Sequence, residues 1–282
     1  MKFWKGHALG NDYIVVDRTG AAPPEPSLVR ALCDRHRGVG GDGVLAADRG
    51  PDTVALRIFN PDGSEAEKSG NGLRIFGAWL DGQGHVPSDA PFHVTLPAER
   101  VEMRVESRSP DGALMLRVDM GRARFLAGDI RFTDAAPDEE VQARPLDVEG
   151  GPVAIHLVSM GNPHCVVFVD DLDPDQLHRL GPAIQAHPAF ERGVNVQLAR
   201  PTAPDVLEAL IWERGAGETL ASGSSACAVA ATARRAGLVS GDRFQVRMAG
   251  GAVTVEIDDE WGVHLTGEAR MVFRGEWVGA EG

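Results

Sequence analysis

Two serines, each followed by a glycine, stand where helices are predicted to begin, in stretches that resemble one another: Ser69 in residues 57–76 and Ser222 in residues 210–229. A helix start offers unpaired backbone N–H groups and the positive end of the helix dipole, so each position predicts a site for a carboxylate or phosphate. Two such ends around one anionic group would suit chemistry on both faces of a carbon atom. The alternative is that both serines are ordinary N-caps and the glycines only allow a tight turn.

The spacing of the two stretches indicates an internal duplication. Ser222 lies 153 residues after Ser69, and a Gly-Asn pair at Gly161 lies 151 residues after a similar pair at Gly10. Repeats at a nearly constant offset predict two similar half-domains. Repetition at matched positions favours a functional role for the serines over simple capping.

Bulk composition limits the classes of partner. The 282 residues suffice for two domains, and 43% hydrophobic with 24% charged residues is typical of a globular protein. A net charge of -13 disfavours nucleic acid and anionic membrane surfaces as partners. The first residues lack an apolar stretch of signal-peptide length, and no segment approaches the roughly 20 apolar residues of a membrane span. We therefore expect a cytoplasmic protein.

The three cysteines, Cys33, Cys165 and Cys227, are widely separated and lack C-x-x-C spacing. Neither a disulfide framework nor a zinc site is indicated, and the nine histidines do not cluster at ligand spacing. We predict no metal. Cys165 and Cys227 are expected to be buried packing residues, and Cys33 lies on a predicted helix.

Short apolar segments alternate with turn residues and predict strands joined by hairpins. Examples of the predicted strands are 13–17, 54–59, 101–106, 114–120, 155–159, 166–170 and 253–257, with a final strand at 270–278. The predicted helices are 27–34, 72–80, 174–185 and 224–236, the last stopped by Gly237. Residues 20–27 and 147–152 are expected to be surface loops. The predicted halves comprise residues 1–121 with 272–282, and residues 122–271.

Five motifs follow one another along the chain: Gly10-Asn11-Asp12-Tyr13; Arg57-Ile58-Phe59-Asn60-Pro61-Asp62-Gly63-Ser64-Glu65 leading to Gly70-Asn71-Gly72; Gly161-Asn162-Pro163-His164-Cys165; Gly193-Val194-Asn195-Val196; and Glu213-Arg214-Gly215-Ala216-Gly217-Glu218-Thr219. In these motifs and their order, the sequence resembles the diaminopimelate epimerase family over nearly its whole length. The resemblance implies an α+β fold of two pseudo-symmetric halves. Each half is a mainly antiparallel sheet or barrel wrapped around a central helix.

The resemblance also implies a cofactor-independent amino-acid epimerase or racemase, which converts LL- to meso-diaminopimelate in the pathway to lysine and the cell wall. In the family, two opposed cysteines exchange one proton at the α-carbon of the substrate. The matching positions here are Ser69 and Ser222. Backbone N–H groups at the two helix starts would bind the carboxylate at the reacting centre; they belong to Gly70, Asn71, Gly223 and Ser224.

Residues for the far end of a zwitterionic substrate are also implied by the resemblance. They are Asn60, Asn162, Asn195, Glu213 and Arg214, with Asn11 also lining the site and His164 as a secondary candidate. Arginine binds a carboxylate with two hydrogen bonds, glutamate pairs with an ammonium group, and asparagine can do either. The alternative is that the asparagines serve turns and strand ends, that the charged pair is exposed, and that the histidine is structural.

Both cysteine positions of the family hold serine here, and Gly43 stands where some members carry a larger polar residue. A thiol has a pKa near 8.5, whereas an alkyl hydroxyl loses its proton far less readily and normally needs an adjacent base. No base dedicated to either serine is evident in the sequence. Three explanations stay open: an engineered inactive form, a natural homologue with slower or different proton chemistry such as isomerisation or dehydration, and a non-catalytic amino-acid-binding homologue. The oligomeric state stays open, with a homodimer as one alternative.

Overall fold

The computed structural model describes residues 1–50, 53–87 and 89–279. The chain forms two compact units, one of Met1–Asp119 with Thr266–Gly282 and the other of Met120–Leu265. Residues 280–282 of the predicted segment 272–282 lie outside the described residues. In the described part of the chain, the helices are too short or too polar to cross a membrane.

The first unit combines strands with two helices. Its elements are β1 (Lys2–Ala8), β2 (Asn11–Asp17), α1 (Pro26–Cys33), β3 (Val44–Arg49), β4 (Val54–Phe59), β5 (Glu65–Ala66), α2 (Gly70–Gly82), β6 (Phe92–Thr95), β7 (Arg100–Arg108) and β8 (Leu114–Arg122), whose end crosses the unit boundary. β7 shows how the pattern forms strands, because Val101, Met103 and Val105 are buried and the charged residues between them are exposed.

The second unit repeats this plan after an additional helix and strand. Its elements are α3 (Ala127–Ile130), β9 (Arg144–Val148), β10 (Gly151–Ser159), β11 (Pro163–Phe168), α4 (Pro174–Gln185), β12 (Asn195–Ala203), β13 (Val206–Glu213), β14 (Gly217–Thr219), α5 (Gly223–Arg235), β15 (Arg243–Met248), β16 (Gly251–Ile257) and the start of β17 (Gly262–Glu276). α4 begins at Pro174, and the Asp173 carboxylate accepts from the backbone N–H of Asp175 at 2.9 Å.

The strand pairings of the two units match one for one. β1–β2 and β10–β11 are antiparallel, and they are followed by the parallel pairs β2–β3 and β11–β12. β3–β4 and β12–β13 are antiparallel, and β4–β6 and β13–β15 are parallel. The internal duplication inferred from the sequence is therefore present in the topology as well.

Each unit buries one helix against its strands. In α2, residues 70–80 are all buried, including Trp79 and Phe76, and the helix contacts β1 and β2. In α5, the buried residues are small, chiefly alanines with Cys227 and Val229, and the helix contacts β10, β12 and β16. Small side chains allow strands to approach a helix closely on several sides. The expected α+β fold with a central helix in each half is confirmed.

Several local expectations needed correction. Strands joined by hairpins were expected, but four pairs are parallel and need crossover connections, which contain α1, α2, α4 and α5. Residues 147–152 form a hairpin rather than a loop, because Pro152 pairs with Asp147. The loop predicted at residues 20–27 is shorter than expected, because Pro26 is the first residue of α1. Gly237, with φ of 70°, follows the end of α5 as expected.

Candidate active site

Ser69 is the N-cap residue of α2. Its backbone is extended (φ -138°, ψ 116°), and its Oγ accepts a hydrogen bond from the backbone N–H of Gly72 at 3.0 Å. The next two residues, Gly70 and Asn71, are buried at the first turn of the helix. The start of α2 therefore has the form expected for a site that binds an anion with backbone N–H groups.

Ser222 has the same position at the start of α5. Its backbone angles (φ -138°, ψ 125°) match those of Ser69, and its Oγ accepts from the backbone N–H of Ser225 at 3.5 Å. Gly223 is buried and Ser224 is half-buried. The cap hydrogen bond is longer here than in α2, so it contributes less to holding the helix start.

Asn11 is connected directly to the start of α2. The Asn71 amide donates to Oδ1 of Asn11 at 3.0 Å, and the Asn11 amide donates to the Asp42 carboxylate at 2.7 Å. Asp42 also accepts from the backbone N–H of Asp12 at 3.0 Å. These contacts fix the side chain of Asn11 beside the start of α2, and its role in lining a site stays a prediction.

A buried arginine of α2 holds the first turn of that helix. The Arg74 side chain is 0% exposed, and its Nε donates to the carbonyl oxygen of Gly70 at 3.3 Å while its guanidinium also donates to Oδ1 of Asn71. An arginine at this depth needs such partners, because a buried charge without hydrogen bonds is costly. Arg74 therefore fixes both residues whose N–H groups begin the helix.

An ion-pair network anchors the neighbouring strand ends. Asp12 pairs with Lys5 at 2.5 Å and with Arg35 at 2.7 Å, and Arg35 also reaches Asp42 at 2.7 Å. Burial alone would raise the pKa of Asp12, but the hydrogen bonds from Arg35 and Lys5 outweigh it and lower that pKa to about 2. The Asp12 carboxylate is therefore charged at neutral pH.

Tyr13 reaches the side chain of Ser69. Its hydroxyl donates to the Ser69 Oγ at 3.3 Å, and Tyr13 is only 8% exposed. Tyr13 lies two residues after Asn11 on β2, so both side chains point to the same face of the strand. Ser69 Oγ thus accepts from two donors, one on its own helix and one on β2.

In the second unit, a series of side-chain hydrogen bonds leads from Asn162 to the first turn of α5. His164 shares a hydrogen bond with Oδ1 of Asn162 at 2.9 Å, and its other ring nitrogen accepts from Gln197 at 3.1 Å. Gln197 also donates to the Ser225 Oγ at 3.0 Å. Complete burial lowers the pKa of His164 to about 3, so the ring is neutral. The expectation of a secondary, partly structural His164 stays a prediction.

Asn195 and Arg214 lie together in the second unit. The Oδ1 of Asn195 accepts from the backbone N–H of Arg214 at 2.9 Å, and the Asn195 amide donates to the Pro163 carbonyl at 3.0 Å. The exposed guanidinium of Arg214 donates to the Arg192 carbonyl at 3.0 Å. Glu213 is half-buried and ends β13.

Asn60 makes its hydrogen bonds within its own turn after β4. Its amide donates to the Ser64 Oγ at 3.0 Å, and its backbone N–H donates to the Ser64 carbonyl at 2.8 Å. These bonds fit the alternative role of a turn residue. A role in substrate binding stays a prediction for Asn60, as it does for the other residues implied by the resemblance.

Four residues that hold these groups in place were not predicted from the sequence as part of the site: Tyr13, Asp42, Arg74 and Gln197. Two of them carried a usable signal, because Tyr13 and Gln197 each lie two residues after a candidate asparagine on a strand and so share its face. Arg74 carried a weaker signal, as a single charge inside an apolar helix. Asp42 lies in a glycine-rich loop, where no strand or helix periodicity indicates which way a side chain points.

The three cysteines are all buried. Burial raises the pKa of the Cys33 thiol to about 11 and raises the pKa of Cys165 well above its usual range. The two thiols are therefore protonated at neutral pH, which agrees with a packing role. In residues 1–50, 53–87 and 89–279, no group of three or more His, Cys, Asp or Glu side chains is arranged to hold a metal ion.

Comparison with known proteins assigns the family. The model of the family described as diaminopimelate epimerase matches residues 3–126 and 156–272. The chain belongs to the diaminopimelate epimerase family. A family member from Nostoc sp., named diaminopimelate epimerase 2, is 39% identical and is matched over 98% of this chain and 95% of its own length. A diaminopimelate epimerase from Pelotomaculum thermopropionicum is 40% identical, over 98% of this chain and 99% of its own.

Solved structures extend the likeness to other proteins of this fold. A hydroxyproline epimerase from Agrobacterium vitis, solved with trans-4-hydroxy-L-proline, superposes with a TM-score of 0.71 at 17% identity, over 98% of this chain and 91% of that one. A methylitaconate-delta-isomerase superposes with a TM-score of 0.62 at 14% identity, over 98% and 95%. At these identities the likeness concerns the fold alone.

Proposed function

We propose that this protein is a cofactor-independent amino-acid epimerase of the diaminopimelate type, which inverts one α-carbon of LL-diaminopimelate to give the meso form. The observation that carries the proposal is the repeated helix start. Ser69 and Ser222 cap α2 and α5 with matching backbone angles, and the sequence resemblance assigns them to the family's two proton-exchange positions. Membership of the family at about 40% identity over nearly the whole chain supports the reaction class.

In this proposal the two serines are the groups that exchange the α-proton. One removes the proton from one face of the carbon, and the other delivers a proton to the opposite face, so the configuration inverts without a cofactor. The backbone N–H groups of Gly70, Asn71, Gly223 and Ser224 bind the carboxylate next to that carbon. They also stabilise the negative charge that develops as the proton leaves.

The other end of the substrate is assigned to asparagine and charged side chains. Arg214 binds the distal carboxylate and Glu213 the distal ammonium group, with the asparagines at 11, 60, 162 and 195 completing the set. The partner is thus a small zwitterionic amino acid. We place the protein in the cytoplasm, where a precursor of lysine would be made.

Isotope exchange tests the proposal. LL-diaminopimelate and meso-diaminopimelate incubated with the protein in heavy water should each gain deuterium at an α-carbon, which loss of the α-proton signal in the NMR spectrum would record. A panel of other amino acids sets the specificity. The Ser69→Ala/Ser222→Ala variant should give no exchange. A wild-type protein that leaves the α-protons of the whole panel unlabelled after long incubation would contradict the proposal.

A second candidate is a homologue that binds the amino acid without turning it over. It is favoured by the hydroxyl at both exchange positions. It is also favoured by the hydrogen bonds of the buried His164, which lead through Gln197 to Ser225 and not to Ser222. Calorimetric titration with diaminopimelate distinguishes the two candidates. Binding without isotope exchange would select the second, and binding with exchange the first.

A further inference from the structure

We propose that Tyr13 is a positioning residue for Ser69. Through its hydrogen bond to the Ser69 hydroxyl, it carries the negative charge that a cysteine thiolate would carry at position 69. This inference rests on the proposed function and adds a residue to its site. The structural basis is the 3.3 Å hydrogen bond from the Tyr13 hydroxyl to the Ser69 Oγ. Tyr13 is the only tyrosine in the chain, which makes the inference open to unusually specific tests.

The geometry at Ser69 favours an anion on its oxygen. Oγ accepts from Tyr13 Oη and from the backbone N–H of Gly72 at 3.0 Å, so the serine's own proton points away from both donors. Two donors and the positive end of α2 stabilise negative charge on that oxygen. Ser69 is therefore arranged to give its proton to a carbanion and to hold the resulting charge.

Acidity explains why a phenol is the useful second group. A phenol has a pKa near 10, close to the 8.5 of a thiol, whereas an alkyl hydroxyl is a far weaker acid. A serine alkoxide beside a tyrosine hydroxyl would therefore take the phenolic proton. The charge then lies on the phenolate, which the aromatic ring delocalises.

The proton steps balance without an additional reactant. When the Ser69 O–H bond breaks, a C–H bond forms at the α-carbon of the substrate with the carbanion's electron pair. The Tyr13 O–H bond then breaks and a new Ser69 O–H bond forms, which leaves a phenolate. In the reverse direction the phenolate takes the serine proton, and Ser69 takes the α-proton.

The packing around Tyr13 keeps room for its ring. A Cβ atom on Gly43 would lie 2.7 Å from Cε1 of Tyr13 and 2.4 Å from the carbonyl oxygen of Phe59. Contacts this short are not tolerated, so a side chain at position 43 would displace the ring. Gly43, noted in the sequence as a departure from some family members, thus allows Tyr13 to reach Ser69.

Charged groups on the surrounding elements are unchanged by loss of one hydroxyl. The charged groups are Lys5 on β1, Asp12 on β2, Arg35 and Asp42 before β3, Lys68 before α2, and Arg74 on α2, and β1 also carries the titratable His7. Lys5, Arg35, Asp12 and Asp42 are already paired with one another. A difference in pH dependence between a protein with Tyr13 and its Tyr13→Phe variant therefore measures the effect of the Tyr13 hydroxyl.

The first test needs no turnover. Ser69→Cys places a thiol at the end of the Tyr13 hydrogen bond, and its pKa is read from the pH dependence of alkylation. Cys33, Cys165 and Cys227 are buried, so they should react far more slowly. Because the phenol stabilises a thiolate, Ser69→Cys/Tyr13→Phe should raise that pKa by about one unit or more, a tenfold shift in ionisation. Ser69→Cys/Val16→Ala, a packing loss on the same strand, should not.

The second test measures turnover. Tyr13→Phe should slow deuterium exchange into diaminopimelate by about 10²-fold, with little change in KM, since general acid-base groups contribute on this scale. Replacement of the single tyrosine by fluorotyrosine, whose phenol is more acidic, should restore exchange and move the alkaline limb of the pH profile to lower pH. A merely structural hydroxyl would not move that limb.

The outcomes separate this inference from the proposed function. An unchanged thiol pKa in Ser69→Cys/Tyr13→Phe would overturn the inference, whether or not the wild-type protein turns over substrate. A raised thiol pKa in Ser69→Cys/Tyr13→Phe, together with no isotope exchange by the wild-type protein, would overturn the epimerase proposal and retain Tyr13 as the group that stabilises an anion at position 69. In an exchanging wild-type protein, a pH profile unmoved by fluorotyrosine would also overturn the inference.

Discussion

Ser69 and Ser222 adopt the same backbone conformation at the starts of equivalent helices, yet their oxygens are held differently. Both have φ of -138°, but the cap hydrogen bond is 3.0 Å at Ser69 and 3.5 Å at Ser222. Ser69 also accepts from Tyr13, whereas the hydrogen-bonded chain of the second unit ends on Ser225. The duplication therefore preserved two helix starts while their supporting side chains diverged.

The unequal caps predict unequal stability effects. Ser69→Ala should lower the free energy of unfolding by about 1 kcal/mol, as is typical of a lost N-cap, and Ser222→Ala by less. Ser69→Asn should stay close to wild type, because an asparagine side chain can also cap. Urea denaturation of the three variants measures these differences.

The asparagine variant separates capping from chemistry at Ser69. It should retain stability and lose deuterium exchange, while Ser69→Ala loses both. A larger loss of stability in Ser222→Ala than in Ser69→Ala would show that hydrogen-bond length is a poor guide to the two caps. Retained exchange in Ser69→Asn would remove Ser69 from the proton path.

Restoring both thiols should accelerate the reaction. A thiol near pKa 8.5 at a helix start forms the anion much more readily than a serine hydroxyl, so Ser69→Cys/Ser222→Cys should raise the exchange rate by roughly 10²-fold. The rate of α-proton loss, followed by NMR, provides the measurement. Each single variant serves as a control, and a double variant no faster than wild type would mean that more than the two thiols separates this chain from its relatives.

The buried His164 predicts a loss of stability in mild acid. Its pKa is lowered to about 3 by burial, while in the unfolded chain the ring binds a proton below about pH 6.5. Between these values the unfolded state binds more protons, so the free energy of unfolding should fall as the pH drops below 6.5. Asp12, whose folded pKa is about 2, adds a further loss only below about pH 4.

Denaturation at pH 7.5 and at pH 5 tests this sign. The wild-type protein should lose about 1 kcal/mol per pH unit more than His164→Asn, which has no ring to protonate. His156, whose pKa burial also lowers, is present in both proteins and cancels in the comparison. Equal slopes in the two proteins would contradict a neutral, buried His164.

The sequence predicted the local elements better than the contacts between them. The residues of β4 and α4 were predicted with the observed bounds, because apolar periodicity and a proline with an acidic cap act over a few residues. The parallel pairs β2–β3 and β11–β12 were not predicted, since parallel pairing joins strands that are separated in the sequence by a crossover connection. Tyr13 was quoted within a motif, yet its bond to a serine 56 residues away depends on that same tertiary arrangement.

The distribution of label at early times tests the central claim most directly. LL-diaminopimelate is incubated with the protein in heavy water, and the product and the remaining substrate are separated before a tenth of the substrate has reacted. If two single-proton groups act on opposite faces of one carbon, the meso product should carry deuterium at the inverted centre while the recovered LL substrate stays unlabelled. Deuterium appearing in recovered substrate as fast as in product, or meso product that retains the original proton, would contradict the account.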